Sequence, residues 1–208
     1  MEGLREGDPE VAARRRMTPA QRRADLTGTA LEVFAEKGYR ATAMADIAEA
    51  SGVNRSILYD RFPSKRALYL TVLQEQHVAV LAALGVGLAG HTGTRGRIAA
   101  VVEGYLRYAR ACRSGRRLLF DVAPEDDPEI RIVRHGIAES RTRTLALLLG
   151  PDLLRIGIEP GSDAAGLRAE VFLSGLDGLA RWWEEHDGLS HEEITAIAMR
   201  MLWTGLEV

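Results

Sequence analysis

The chain has 208 residues and a single cysteine, Cys112, so an internal disulfide framework is excluded and a reducing compartment is expected. Lysine is almost missing: only Lys37 and Lys65 stand among the 27 basic residues. The excess of arginine, with abundant alanine and glycine, points to a GC-rich bacterial genome and says nothing of function. No apolar run reaches the roughly 18 residues that span a bilayer. The N-terminal stretch MEGLREGDPEVAARRRM has no apolar segment of the kind that directs export. A cytoplasmic protein without a membrane partner is therefore expected. The chemistry of catalysis is also lacking. There is no G-x-S-x-G elbow, Cys112 has no evident activating partner, and none of His77, His91, His135, His186 and His191 stands at a metal-ligand spacing from a second ligand. No catalytic residue, metal or cofactor is expected. Cys112 itself reads as a small hydrophobe in a helix rather than a redox sensor.

An apolar content of 46% with 27% charged residues describes a globular protein. Charge is distributed unevenly. Residues 1–70 hold 12 basic and 10 acidic groups, and residues 71–208 hold 15 and 19. Residues 11–24 contain Arg14, Arg15, Arg16, Arg22 and Arg23 and no acid. Residues 1–17 lack apolar periodicity and read as a disordered basic arm, either a solvated tail or a segment that follows nucleic acid. After it, Thr18-Pro19-Ala20-Gln21 is a capping box with proline at the first helical position. Leu26, Ala30, Val33 and Phe34 make the inner stripe of that helix, and Gly38 ends it.

The most informative stretch is TAMADIAEASGVNRSILYDRFPSKRAL, residues 42–68. Thr42 can cap a short helix that turns Ile47 and Ala48 inward, and Ser51-Gly52 ends it. Asn54 can cap the next, in which Leu58 and Phe62 face inward while Arg55, Ser56 and Tyr59 share the outer face. Pro63 stops that helix and Ser64 caps a long third one. Two helices joined by a glycine-containing turn form a helix-turn-helix, whose second helix enters the DNA major groove. Arg55 can bond a guanine edge in bidentate fashion, Ser56 either kind of base, and Tyr59 a phosphate. Lys65 adds a charge at a helix N-terminus, where a phosphate is favoured.

On the pattern GYRATAMADIAEASGVNRSILYDRFPSKRAL, the chain resembles the tetracycline-repressor (TetR) family of bacterial transcription regulators. Gly38, Thr42, Ile47, Ala48, Gly52, Val53, Leu58, Tyr59, Phe62, Lys65 and Leu68 stand in the family's places, and the resemblance covers residues 22–70. It implies that Thr42, Met44 and Ala45 open the helix facing the DNA backbone and groove edge. It implies further that Arg55, Ser56 and Ile57 face bases, and that Tyr59, Asp60, Arg61 and Lys65 lie near phosphates. Two residues depart from the pattern. Ile57 stands where a small residue or threonine is common, which favours a thymine-methyl contact. Asp60 repels phosphate unless Arg61 or Arg55 pairs with it.

The remainder reads as helix throughout, giving an all-α chain of about nine helices. Its divisions are the arm (1–17), a helix-turn-helix domain (18–66) and a ligand-binding and dimerisation domain (67–208). The helix capped by Ser64 is long enough to join the two domains. GVGLAG at residues 85–90 matches G-x-G-x-x-G literally, but a helix and not a strand precedes it, which argues against a dinucleotide site. Asp127-Pro128 caps a helix ended by Gly150-Pro151. Residues 151–162 read as a loop, and two helices follow, the last opened by the capping box Ser190-His191-Glu192-Glu193. Phe172, Gly175, Leu176, Leu179, Trp183, Ile194, Ile197 and Met201 suit an isologous four-helix bundle between two copies, or else the chain's own core. Tyr105, Tyr108, Phe120 and Trp182 can line a ligand pocket, with Glu103, Arg134 or His135 supplying polarity. The resemblance implies a repressor that grips a palindromic operator as a dimer and lets go when an unidentified small ligand shifts the linking helix. An activator or architectural protein without an inducer is the alternative, and a helical enzyme or nucleotide binder the remote one.

Overall fold

The computed structural model describes residues 18–121, 127–186 and 188–204, and the expected basic arm lies outside them. Among the described residues there are ten α-helices and no strand. They are α1 (Pro19–Ala41), α2 (Met44–Ala50), α3 (Arg55–Arg61), α4 (Lys65–Gly85), α5 (Thr94–Ala111), α6 (Arg113–Arg116), α7 (Pro128–Leu148), α8 (Gly150–Arg155), α9 (Asp163–Glu185) and α10 (His191–Thr204). The all-α expectation holds. Residues 151–162, read as a loop, contain most of α8, because Pro151 takes the first turn of a new helix instead of only ending the old one. A π-helical turn, Arg117–Asp121, follows α6. Packing divides the chain into two units between Val72 and Leu73, within α4.

Local chemistry sets most boundaries in the N-terminal unit. The Thr18 hydroxyl accepts from Gln21 N while the Gln21 side chain accepts from Thr18 N, closing the capping box of α1. Gly38 has φ +77°, so the helical path breaks there in a conformation that favours glycine. Gly52 has φ +62° and turns the chain from α2 toward α3. The Asn54 side chain accepts from Ser56 N, and Ser64 Oγ from Ala67 N, capping α3 and α4. Leu26, Ala30, Phe34, Ile47, Leu58, Phe62 and Leu68 are buried, as the apolar stripes predict. Tyr69 meets Phe34 edge-on at 4.9 Å between ring centroids.

Helix α4 with the turn that follows it, residues 65–90, holds an 18-residue window (mean hydropathy 1.4) apolar enough to pass for a membrane span by length and composition. Its run is broken by exposed Gln74 and Glu75, and Leu68, Tyr69, Val72, Leu73, Val80 and Leu84 are buried, which is the pattern of a core helix. In the C-terminal unit α9 packs on α7 and α5, and α10 on α5. The approach of α4 and α5 needs Gly104: a Cβ there would sit 2.0 Å from the Ala83 carbonyl oxygen. The α7 and α10 caps are those expected, with Asp127 accepting from Glu129 N and Ile130 N, and Ser190 from Glu193 N.

Candidate nucleic-acid interface and effector site

Helix α3 shows two faces. Leu58 is fully buried and anchors the inner one. Arg55, Ser56, Ile57, Tyr59, Asp60 and Arg61 are exposed, Ile57 and Tyr59 each by about half. Arg55 and Arg61 make no hydrogen bond or ion pair with any described residue, and neither neutralises Asp60. Two guanidinium forks, a hydroxyl, a phenol and an apolar side chain are thus presented together on a helix short enough to lie within a groove. Beside it, Ile57 and Arg61 border an open depression of about 530 Å³ that Arg22, Asp25, Ala50 and Val53 also line.

Four of the residues expected to face DNA, Thr42, Met44, Ala45 and Lys65, are engaged or partly buried within the chain. Thr42 does not cap α2: it is buried, and its hydroxyl donates to the Gly38 carbonyl at 2.7 Å. The start of α2 is held instead by Asp46, whose carboxylate accepts from Ala43 N at 2.7 Å. That bond, aided by Lys37 at 3.6 Å, holds the Asp46 carboxyl below its ordinary pKa. Met44 is also buried, and Ala45 half-buried, so the opening of α2 turns toward the core. Lys65 is not a free point charge. Its ammonium donates to the carbonyls of Tyr39 and Thr42, each at 2.8 Å, and lies 4.3 Å from the centre of the Tyr39 ring. The carbonyls released where Gly38 breaks α1 are what it satisfies.

The C-terminal unit buries a polar cluster. Arg116, at 2% exposure, donates to Asp121 (2.6 Å), Asp177 (3.1 Å) and Glu184 (3.2 Å). Burial alone would lower its pKa, but the bonds to Asp121 and Asp177 outweigh that and raise it. The Tyr105 hydroxyl donates to the same Asp177 oxygen at 2.9 Å; burial and that carboxylate push the phenol well above its ordinary value. Phe120 meets Tyr105 edge-on at 6.0 Å, and Tyr108 lies 6.4 Å from Tyr105. Arg141, from α7, covers the Phe120 ring at 4.2 Å. His77, from α4, is buried with Nε2 3.2 Å from Ser140 Oγ. Burial first, and the Arg141 charge second, hold its pKa below the ordinary imidazole value.

Of the pocket residues expected, Tyr105, Tyr108 and Phe120 gather here. Arg134 is half-buried and donates to the Leu118 carbonyl at 2.8 Å. His135 and Trp182 do not belong to the cluster. His135 is exposed beside Glu139 at 3.3 Å, and Trp182 is 46% exposed and stacks on His186. One residue of phase separates the outcomes, since Trp182 and Trp183 stand about 100° apart on α9. The interior polar members of the cluster, His77, Arg116, Arg141 and Asp177, escaped the sequence reading. Arg141 alone left a signal: with Ile137 and Leu145 it completes an i, i+4, i+8 inner stripe of α7.

The expected dimer residues divide as well. Phe172, Leu176, Trp183 and Ile194 lie in the chain's own core, Gly175, Leu179 and Ile197 are half-buried, and Met201 is 64% exposed. Trp183 is fixed inside by its indole N–H, which donates to the Leu189 carbonyl at 2.7 Å. The apolar side chains α9 leaves uncovered are Leu167, Val171 and Trp182.

The family model described as bacterial regulatory proteins, tetR family, matches residues 26–72, which hold α2, α3 and most of α1. Residues 26–72 thus carry a TetR-family DNA-binding domain, and the comparisons support a TetR-type transcriptional regulator. It is 28% identical over 196 residues to the HTH-type transcriptional activator FasR of Mycolicibacterium smegmatis, covering 92% of this chain and 85% of that one. A TetR-like regulator from Rhodococcus sp. RHA1 shares the fold with a TM-score of 0.72 at 20% identity, covering 92% of this chain and 98% of that one. FadR of Bacillus subtilis, solved in complex with stearoyl-CoA, shares it with a TM-score of 0.69 at 17% identity, covering 88% and 97%.

Proposed function

We propose that this TetR-family regulator is a cytoplasmic repressor that binds an inverted-repeat operator as a dimer, through α3 of each copy. A small, largely apolar ligand held in the C-terminal unit loosens that grip. The observation that carries the reading is the exposed set Arg55, Ser56, Ile57, Tyr59 and Arg61, whose arginines form no hydrogen bond or ion pair with a described residue. Arg55, Ser56 and Ile57 read base edges, while Tyr59 and Arg61 hold phosphates. Thr42, Met44 and Lys65 build the platform for α3 rather than touch DNA.

Dimerisation is supported by the uncovered stripe of α9, where Leu167, Val171 and Trp182 flank the small residues Gly175 and Gly178. Leu179, Ile197 and Met201 extend it, and the same two helices of a second copy complete a four-helix bundle. Helix α4 runs unbroken across the boundary between the units, so a shift at one end is carried to the other. Ligand and DNA then weaken each other's binding reciprocally. B. subtilis FadR, solved with stearoyl-CoA, supports a ligand with a long apolar part. The alignment with FasR along most of the chain favours a second reading, in which the same DNA contact activates transcription.

Selection of bound duplexes from a randomised pool at near-physiological salt tests the proposal. The expected result is an inverted repeat with half-sites about one helical turn (~34 Å) apart or a multiple of it. Small molecules from a cell extract should release the protein from that duplex. In vitro transcription from a promoter bearing the repeat then separates repression from activation. Binding without sequence preference that vanishes as salt rises would contradict the proposal.

A further inference from the structure

Arg141 is a buried cation whose hydrogen-bonding capacity the described residues leave unspent. Its exposure is 9%, its Nε has no hydrogen-bond partner, and no described carboxylate forms an ion pair with it. Asp177 and Glu170 act on it only at longer range, since Asp177 is engaged by Arg116 and Tyr105, and Glu170 by Thr142 and Ser174. Two more sealed polar atoms lie within electrostatic reach of it: the Tyr108 hydroxyl and His77 Nδ1, neither with a partner. The side chains of Tyr108 and His77 are 8% and 5% exposed. Buried polar groups are ordinarily satisfied, and an unpaired buried charge is among the costliest features a fold can hold. Arg141 covers Phe120, Phe120 and Tyr108 both meet the Tyr105 ring, and His77 reaches Ser140, the chain neighbour of Arg141, so groups from α4, α5 and α7 approach one region of the interior.

We propose that Arg141, with the Tyr108 hydroxyl and His77 Nδ1, receives the carboxylate of a small-molecule effector. The inference rests on the ligand-controlled reading above and names the chemical class of the ligand. When the Ser140 hydroxyl donates to His77 Nε2, the proton sits on Nδ1, and all three groups are donors. A guanidinium edge matches a carboxylate with two parallel bonds. The charge balance favours a monoanion over a phosphate dianion, because the three carboxylates around Arg116 already outnumber it. A coenzyme A thioester offers only a neutral carbonyl at its acyl end and has no carboxylate for Arg141.

Thermal melts and calorimetry on the full chain test this, using sodium salts of straight-chain acids from butyrate to palmitate, the matching alcohols and the matching coenzyme A thioesters. At least one acid should raise the melting temperature where its alcohol and thioester do not. R141M, which keeps the bulk and removes the charge, should melt above the wild type without ligand. It should bind that acid roughly tenfold to a hundredfold more weakly, the loss expected for a charged hydrogen-bonding partner. R141M melting below the wild type, or binding the acid equally well, would show that Arg141 is only a structural cation over Phe120. Equal stabilisation by acid and alcohol, stabilisation by the thioester in place of the acid, or by no acid at all, overturns the carboxylate. Extract-driven release from the selected duplex decides whether the wider reading falls too: release without acid binding sinks the carboxylate alone, and no release sinks both.

Discussion

Among the described residues the N-terminal unit buries two polar side chains, Thr27 and Thr42, each bonded back to a carbonyl of the same helix segment. The C-terminal unit buries five, His77, Arg116, Arg141, Asp152 and Asp177, and all five are ionisable. The first unit keeps its charges outside, where a polyanion can meet them, over a small apolar core. The second encloses charge, which is costly unless paired and therefore implies either a closed network or a ligand. Arg116 and Arg141 show the two solutions side by side: one guanidinium is spent on three carboxylates, the other lies over an aromatic ring with its Nε unbonded. The comparison teaches that the two units differ chiefly in where each keeps its polar groups.

The largest expected effect breaks the closed network. R116M leaves Asp121, Asp177 and Glu184 facing one another without a cation, and should cost about 3–5 kcal/mol. All three tryptophans, Trp182, Trp183 and Trp203, belong to the C-terminal unit. Urea unfolding followed by tryptophan fluorescence should therefore register the loss, and an unmoved midpoint would show that the network adds nothing. A smaller effect is expected in the other unit. K65M removes the donor to the Tyr39 and Thr42 carbonyls while keeping a stem over the Tyr39 ring, and should cost about 1–3 kcal/mol. Circular dichroism should detect an earlier transition that tryptophan fluorescence does not. If K65M instead leaves unfolding unchanged and weakens DNA of every sequence alike, Lys65 is a phosphate contact after all.

The smallest effect concerns pH. His77 is held neutral by burial and by Arg141, so between pH 6.5 and its lower folded value the unfolded chain takes up a proton that the folded chain refuses. Stability therefore falls as pH drops below the ordinary imidazole value, by no more than about 1.4 kcal/mol per pH unit from this group. H77Q should flatten that part of the stability profile measured by fluorescence. An identical slope in both proteins would contradict the assignment.

The same contrast explains what could be read from the sequence. The boundaries of α1, α3, α4, α7 and α10 are set by capping residues and glycines within four positions of the bonds they make, so local pattern finds them. The exposed face of α3 follows equally from a single helical period. The interior of the C-terminal unit does not, because Arg116 meets Asp177 from 61 residues away, Tyr105 meets Asp177 from 72, and His77 meets Ser140 from 63. Nothing local distinguishes Arg116 from Arg117, yet one is 2% exposed and the other is on the surface. For the same reason local pattern does not show that Thr42 donates to the Gly38 carbonyl rather than capping α2, or that Lys65 donates to the Tyr39 and Thr42 carbonyls.

The central claim is that α3 reads bases with Arg55, and motif selection with the wild type and R55A in parallel tests it most directly. The wild type should yield one inverted repeat. R55A should bind it about 1–3 kcal/mol more weakly and yield the same repeat with one symmetric pair of positions relaxed. An unchanged motif from R55A, with affinity lost equally at all sequences, would place Arg55 on the phosphates and contradict the account.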